Sequence, residues 1–238
     1  MKWHTGTAAC CLVVVALLSL GGTAGAAMIG FHHDGGGNQP VSGPAGFPAV
    51  QQVNWNSVHE ASGDDAAGSL DTVLDSSGAV VSGMTITWTA DACYTNGTHV
   101  GENGNLFYGG LETQNAEYGT NEITVTGIPY GTYDVYFYVN GWTANRTGFA
   151  RINGDAGTEV GFSTYQNFPD TWVQANGTGT QATHVLFEDV SGDTLIIEFR
   201  KGNNNVMVGG FQIVPEPATL GLLAGGLLAA LFLRRRRK

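Results

Sequence analysis

The stretch TYDVYFYVN, residues 132–140, alternates between two sets of side chains along its whole length. Successive side chains of a β-strand point to opposite faces of a sheet, so a period of two predicts a strand with one face in a core. Its many aromatic and β-branched residues favour the same assignment. We expect Tyr133, Val135, Phe137 and Val139 to point inward, and Asp134, Tyr136, Tyr138 and Asn140 to face outward.

Alternation of the same kind recurs on both sides of this strand. In MTITW, residues 84–88, and TLIIEFR, residues 194–200, every second residue is apolar and points to the same face: Met84, Ile86 and Trp88 in the first, and Leu195, Ile197 and Phe199 in the second. Asn153-Gly154 predicts a type I′ hairpin turn, because both central positions of that turn need a positive φ. Further strands are predicted at MIGF (28–31), EITVTGI (122–128), HVLFEDV (184–190) and VMVGGFQIV (206–214).

Seven to nine short strands without a convincing helical period predict an all-β fold, a single β-sandwich. We expect the first strand, near residue 28, and the last, which ends near residue 214, to lie close together as in jelly-roll domains. Residues 32–83 are rich in Gly, Ser, Pro and Asp and are predicted to form loops and edge strands. The sandwich domain is therefore assigned to residues 28–213.

The N-terminal segment, residues 1–27, has the layout of a secretory signal peptide. One lysine precedes an apolar run at 10–20, and small residues follow it, with cleavage predicted at Ala26 or Ala27. The run is shorter than the roughly 20 residues of a membrane-spanning helix. An uncleaved N-terminal anchor is the alternative.

The C-terminal segment, residues 214–238, combines VPEPAT, an apolar run at 218–233 and a terminal basic block. A helix of that run is about 24 Å long, against a bilayer core of about 30 Å, so the predicted transmembrane helix is a marginal one. The positive-inside rule predicts that the basic block remains cytoplasmic. Within that block, four arginines are predicted to stop the segment on the cytoplasmic side of the membrane: Arg234, Arg235, Arg236 and Arg237.

These three parts in this order resemble the bacterial PEP-CTERM sorting segment. In that family an exosortase, an integral-membrane cysteine protease of exopolysaccharide-producing Gram-negative bacteria, recognises the motif. The resemblance implies that Pro215, Glu216 and Pro217 are the recognition residues, that the secretion machinery exports the chain, and that the inner membrane anchors it transiently before it reaches the cell surface or the extracellular matrix. A plain single-pass tail anchor is the alternative.

Between residues 28 and 214 the chain has four basic and nineteen acidic residues, a net charge of −15. Such a charge repels nucleic acid and anionic membranes, so no nucleic-acid partner is expected. Cys93 is the one cysteine of this part. We expect a buried thiol there, with an intermolecular disulfide or a reactive thiol as the alternatives.

A second resemblance rests on YDVYFYVNGW (133–142), NRTGFARING (145–154) and GGFQIV (209–214). These strings look like galactose-binding-type β-sandwich domains, which implies sugar binding, here to exopolysaccharide. The loops at 140–148 and 165–172 supply aromatic, amide and guanidinium groups that can stack on or bond to a sugar. The candidate glycan-binding residues are Trp142, Asn145, Arg146 and Trp172; the alternative is that both tryptophans cap the core.

No metal ligand set is assigned. His32 and His33 are adjacent on a predicted strand and should point to opposite faces, which disfavours a shared metal. Structural calcium is the cofactor that the acidic loops favour, with Asp64, Asp65 and Asp71 as the candidate region. The sequence has no recognised catalytic motif, so we expect a non-catalytic protein. A secreted polysaccharide-active enzyme, or a structural matrix protein without a specific ligand, are the alternatives.

Overall fold

A computed structural model describes residues 27–96 and 101–216. Met28–Glu216 forms one compact unit. The predicted signal peptide, the apolar run at 218–233, Pro217 and the basic block 234–238 lie outside the described residues, as does Ala26. Among the residues that are described, no helix is long and apolar enough to cross a membrane.

Within this unit the described residues form thirteen strands, one short α-helix and two 3₁₀ turns. Their bounds are β1 Ile29–His33, β2 Asn56–Val58, β3 Gly63–Leu70, β4 Thr85–Thr95, α1 Gly101–Leu106, β5 Gly109–Thr113, β6 Glu122–Thr126, β7 Thr132–Asn140, β8 Thr147–Ile152, β9 Val160–Thr164, β10 Gln181–Ala182, β11 His184–Ser191, β12 Thr194–Lys201 and β13 Val206–Pro215, with 3₁₀ turns at Pro48–Val50 and Ala156–Thr158.

The strands build a β-sandwich, as the alternation predicts. One layer runs β9-β8-β12-β6-β4, with β3 also on β4, and the other runs β11-β7-β13-β1-β2. Because β5 pairs with both β4 and β13, the hydrogen-bonded path continues from one layer to the other. The core between the layers includes contacts such as Phe137 with Phe199, whose ring centroids lie 5.9 Å apart.

The inward set of β7 is confirmed: Tyr133, Val135, Phe137 and Val139 are fully buried. The alternating residues of the MTITW stretch, at the start of β4, and of β12 are buried in the same core, namely Met84, Ile86, Trp88, Leu195, Ile197 and Phe199. A period of two, read from the sequence, therefore fixes which side chains of each strand enter the core.

The first and last strands are neighbours, as predicted. β1 pairs antiparallel with β13, with Ile29 opposite Ile213 and Phe31 opposite Phe211. The Phe31 and Phe211 rings stack at 5.5 Å. On its other edge β13 pairs with β7, so the last of the described strands is interior to its layer.

The prediction that the other face of β7 meets solvent is wrong for its second half. Tyr136, Tyr138 and Asn140 are buried, because residues 40–55, α1 and the segment near Trp172 cover this face. The Tyr138 hydroxyl accepts from the Phe47 backbone N–H at 3.1 Å and donates to the Gln212 side chain. A second, aromatic cluster thus lies outside the main core.

Two boundaries differ in detail from the sequence interpretation. Asn153 and Gly154 have positive φ, 53° and 70°, as predicted, but a 3₁₀ turn at Ala156–Thr158 extends the connection before β9. β13 continues to Pro215, two residues beyond the predicted domain limit, and the Glu216 backbone N–H donates to the Thr132 carbonyl at 3.2 Å. The described front of the sorting segment is therefore extended and attached to the sheet.

Candidate functional site

The loop between β7 and β8 carries Trp142. Its side chain is 39% exposed, and it is one of few large apolar side chains in the described residues that remain exposed. The loop is fixed at both ends by backbone bonds. Gly141 N–H donates to the Tyr165 carbonyl at 3.2 Å, and Asn145 N–H donates to the Thr164 carbonyl at 2.9 Å. Asn145 has a φ of 66°, a left-handed conformation that asparagine tolerates better than most residues. The exposed indole is therefore held by an ordered turn.

The edge of the Trp142 ring is anchored by a carboxylate. Its Nε1–H donates to Glu112 Oε2 at 2.6 Å, while the Asn205 amide donates to Glu112 Oε1 at 3.0 Å. Glu112 is 3% exposed, so this short bond lies where water competes little. The bond orients the indole and leaves part of its surface open to solvent.

Tyr94 extends the same surface. Its ring centroid lies 6.0 Å from that of Trp142, with the two planes tilted by 60°. Its hydroxyl donates to Asp64 Oδ1 at 3.0 Å, and this bond to a carboxylate raises the pKa of Tyr94. We call the group of Trp142, Tyr94, Asp64, Glu112 and Asn205 the Trp142 platform.

Asn145 and Arg146, the two other candidates in this loop, differ in how free they are. The Asn145 side chain is exposed. Arg146 donates from Nε to Thr143 Oγ1 at 3.0 Å and from Nη1 to the Asn205 carbonyl at 3.0 Å. Its guanidinium therefore ties the loop to the segment before β13, directly beside the Trp142 platform.

Trp172, the fourth candidate, belongs to another part of the molecule. Its ring lies 4.9 Å from that of Phe168, 5.6 Å from Tyr138 and 5.9 Å from Phe107, measured between centroids. It is partly buried in the aromatic cluster on the outer face of β7. The structure thus groups Trp142, Asn145 and Arg146, and places Trp172 in packing.

The aspartates of the predicted calcium region are spread along a strand. Asp64 and Asp65 lie within β3, and Asp71 follows its last residue. A strand rises about 3.3 Å per residue, which separates the ends of this region by roughly 20 Å. The three carboxylates do not converge, and Asp64 already accepts the Tyr94 hydroxyl.

The sequence reasoning missed Tyr94, Glu112 and Asn205. They come from β4, from β5 and from the turn before β13. No local motif connects them, because the platform exists only once β5 bridges the two layers. The available signal was weak: Glu112 is a charged residue inside a short strand whose five residues are all buried.

The C-terminal segment matches the PEP-CTERM protein-sorting motif over residues 214–237. This match confirms the sorting motif and implies export of the chain. Of the matched residues, only 214–216 are among those described by the structure, and all three are partly exposed.

A search of curated proteins found no significant match. Among solved structures, TmCBM61 in complex with β-1,4-galactotriose is similar to this chain at 13% sequence identity and a TM-score of 0.31. The similarity covers 57% of this chain and 90% of TmCBM61. It is a weak resemblance between β-sandwich folds.

Proposed function

We propose that this chain is an exported, exosortase-processed and non-catalytic protein of the cell surface or extracellular matrix, which binds exopolysaccharide through the Trp142 platform. The single observation that carries sugar binding is the exposed Trp142 ring with its Nε1–H fixed on buried Glu112. A tryptophan on an ordered loop offers a flat apolar surface for the C–H face of a sugar, and it loses little side-chain entropy on binding.

The groups around the ring suit hydroxyl-rich ligands. Asp64 of the platform and Asn145 of the Trp142 loop are exposed, and they offer carboxylate and amide groups to sugar hydroxyls. The net charge of −15 between residues 28 and 214 favours neutral over strongly anionic polymers. A sorting motif at 214–237 supports a role outside the cell, where exopolysaccharide would be accessible to the platform.

The experiment is a binding screen of the purified domain, residues 28–216, against neutral and acidic polysaccharides, including the producing organism's own matrix. We expect saturable, sugar-selective binding that falls at least tenfold in Trp142→Ala and three- to tenfold in Trp142→Phe, which keeps an aromatic ring but loses the bond to Glu112. Val80, which is 62% exposed, supplies the matched control: Val80→Ala should bind like the parent. Equal loss in both alanine variants would point to nonspecific adsorption and contradict the proposal.

The same screen separates the alternatives. Release of sugars from any polymer, abolished by one Asp or Glu substitution, would identify an enzyme. Self-association driven by calcium without sugar selectivity would identify a structural matrix protein.

A further inference from the structure

Three side chains from distant parts of the chain meet beneath the surface on the β1 side of the sandwich. His33 ends β1, Glu60 lies between β2 and β3, and Cys93 belongs to β4. One ligand atom of each, the His33 imidazole nitrogen, a Glu60 carboxylate oxygen and the Cys93 sulfur, lies within 4.8 Å of both others. We propose that these three residues form a mononuclear site for a divalent ion of the zinc class.

The donor set selects this class of ion. Imidazole nitrogen, carboxylate oxygen and thiolate sulfur are the three ligand types of protein zinc sites, and thiolate is a poor ligand for Ca²⁺ or Mg²⁺. Three protein ligands leave a fourth tetrahedral position for water. The Glu60 side chain is 28% exposed while that of His33 is fully buried, so the ion would enter from the Glu60 side.

Burial affects the two buried ligands in opposite ways: it favours the metal-binding form of His33 and disfavours that of Cys93. Burial lowers the pKa of His33, so its imidazole is neutral near pH 7, which is the form that binds metal. Burial, with the nearby charge of Glu60, raises the pKa of Cys93 to about 11, so the thiol stays protonated without a cation beside it. Asp34, 2% exposed and bonded to His59 at 3.0 Å, adds a further negative charge close to both.

In the metal-free arrangement these groups bond to one another, to the backbone and to the Trp88 indole, whose Nε1–H also donates to Glu60 Oε2, at 3.2 Å. Gly35 N–H donates to His33 Nδ1 at 3.2 Å, so Nε2 carries the proton and donates to Glu60 Oε2 at 3.1 Å. The Cys93 thiol donates to the Ala61 carbonyl at 3.4 Å. The last two of these contacts use atoms that the ion would bind: His33 Nε2, Glu60 Oε2 and Cys93 Sγ.

Binding exchanges these bonds for metal–ligand bonds with a defined proton balance. The Cys93 thiol proton leaves to solvent and a sulfur–metal bond forms. The His33 proton moves from Nε2 to Nδ1, which ends the Gly35 contact and frees the Nε2 lone pair for the ion. Glu60 is already an acceptor, so one proton is released per ion bound.

The test is titration of the full chain, purified in detergent, with Co²⁺ as a spectroscopic substitute for zinc. We expect one equivalent bound, a thiolate-to-cobalt charge-transfer band in the near ultraviolet, and displacement of that band by one equivalent of Zn²⁺. Cys93→Ser should lose the band, and Glu60→Gln should keep it while binding at least tenfold more weakly. His59→Gln, a change at the neighbouring histidine outside the site, should behave as the parent.

Circular dichroism of each variant checks folding. A parent protein that is folded yet shows no band overturns the proposal, as does a folded Cys93→Ser variant that retains it. If Cys93→Ser does not fold, the comparison of Glu60→Gln with His59→Gln decides in its place, and equal affinities there overturn the site. The affinity of the parent for Zn²⁺ should rise about tenfold per pH unit between pH 6.5 and 8, because one proton is released; a flat profile contradicts thiolate ligation.

Discussion

Trp142 and Trp172 occupy similar loops in the sequence and opposite roles in the structure. Trp142 is 39% exposed, with its indole N–H bonded to Glu112. Trp172 lies partly buried among Phe168, Tyr138 and Phe107. The loop that carries Trp142 projects beside β5, whereas the loop of Trp172 lies on the outer face of β7, which other segments also cover. Composition alone predicts two equivalent sugar contacts, and the covering segments decide that one of them is packing.

The largest effect is expected from Trp172→Ala. Removal of a tryptophan from an aromatic cluster leaves a cavity and costs the domain about 3 kcal/mol of unfolding free energy. Urea denaturation of the variant measures this loss, and Trp142→Ala, which leaves no cavity in that cluster but removes the bond to Glu112, should lose about half as much. Sugar binding by folded Trp172→Ala protein should be unchanged. Equal destabilisation by the two changes would remove the distinction between the two tryptophans.

Acid should weaken the aromatic cluster on the outer face of β7 before it affects the Trp142 platform. Burial among Phe47, Tyr136 and Trp172 lowers the pKa of His184 from 6.5 to about 4. The unfolded chain therefore takes up this proton below about pH 6.5 and the folded chain only near pH 4, so stability falls as pH falls through this window, by up to about 3 kcal/mol.

Chemical denaturation at a series of pH values between 4 and 7.5 measures this slope. His184→Asn should reduce the slope without abolishing it, because buried His32, whose pKa is also lowered to about 4, acts in the same direction. An unchanged slope in His184→Asn would show that this ring is not the titrating group.

Glu112→Gln tests whether orientation of the indole matters. Glu112 accepts a charge-assisted bond from Trp142 Nε1–H at 2.6 Å and another from the Asn205 amide at 3.0 Å. A glutamine has the same shape but is neutral and has only one acceptor oxygen, so it cannot replace both bonds. We expect a three- to tenfold loss of sugar affinity and about 1 kcal/mol of stability. Calorimetric titration gives the affinity. Glu159→Gln is the control, since Glu159 also accepts bonds from side chains, at Tyr118 and Arg200, away from the platform.

Tyr94→Phe should have the smallest effect. It removes the hydroxyl that donates to Asp64 at 3.0 Å and keeps the ring beside Trp142. An exposed hydrogen bond of this kind competes with water and contributes little to stability, and sugar affinity should change by less than twofold. A larger loss of affinity, again by calorimetric titration, would mean that the hydroxyl itself contacts the sugar and would enlarge the platform.

Much of the strand pattern follows from the sequence because burial imposes a period of two. The inward residues of β4, β7 and β12 are predicted correctly for this reason. The outer face of β7 is not, because its cover comes from residues 40–55, which have no period of their own. Aromatic side chains at 136 and 138 were consistent with either exposure or packing.

Less of the candidate site follows from the sequence. Trp142 is identifiable as an aromatic residue in a polar loop between two strong strands. Its partners Glu112, Tyr94 and Asn205 are not, because their proximity depends on which strand bridges the two layers. The proximity of His33, Glu60 and Cys93 is not identifiable from the sequence for the same reason. The prediction that His32 and His33 point to opposite faces is correct, since they contact Ser57 and Glu60 respectively, but it does not identify the partners of His33.

The pairing of β1 with β13 also governs when the domain can fold. A chain leaves the ribosome N-terminus first, so the first strand has to wait for the last before their ladder can form. β7 also lacks one of its two neighbouring strands until β13 has been synthesised, because β13 pairs with one of its edges. Such long-range contacts slow folding. The sheet is completed only as residues 206–215 emerge, immediately ahead of the rest of the sorting motif.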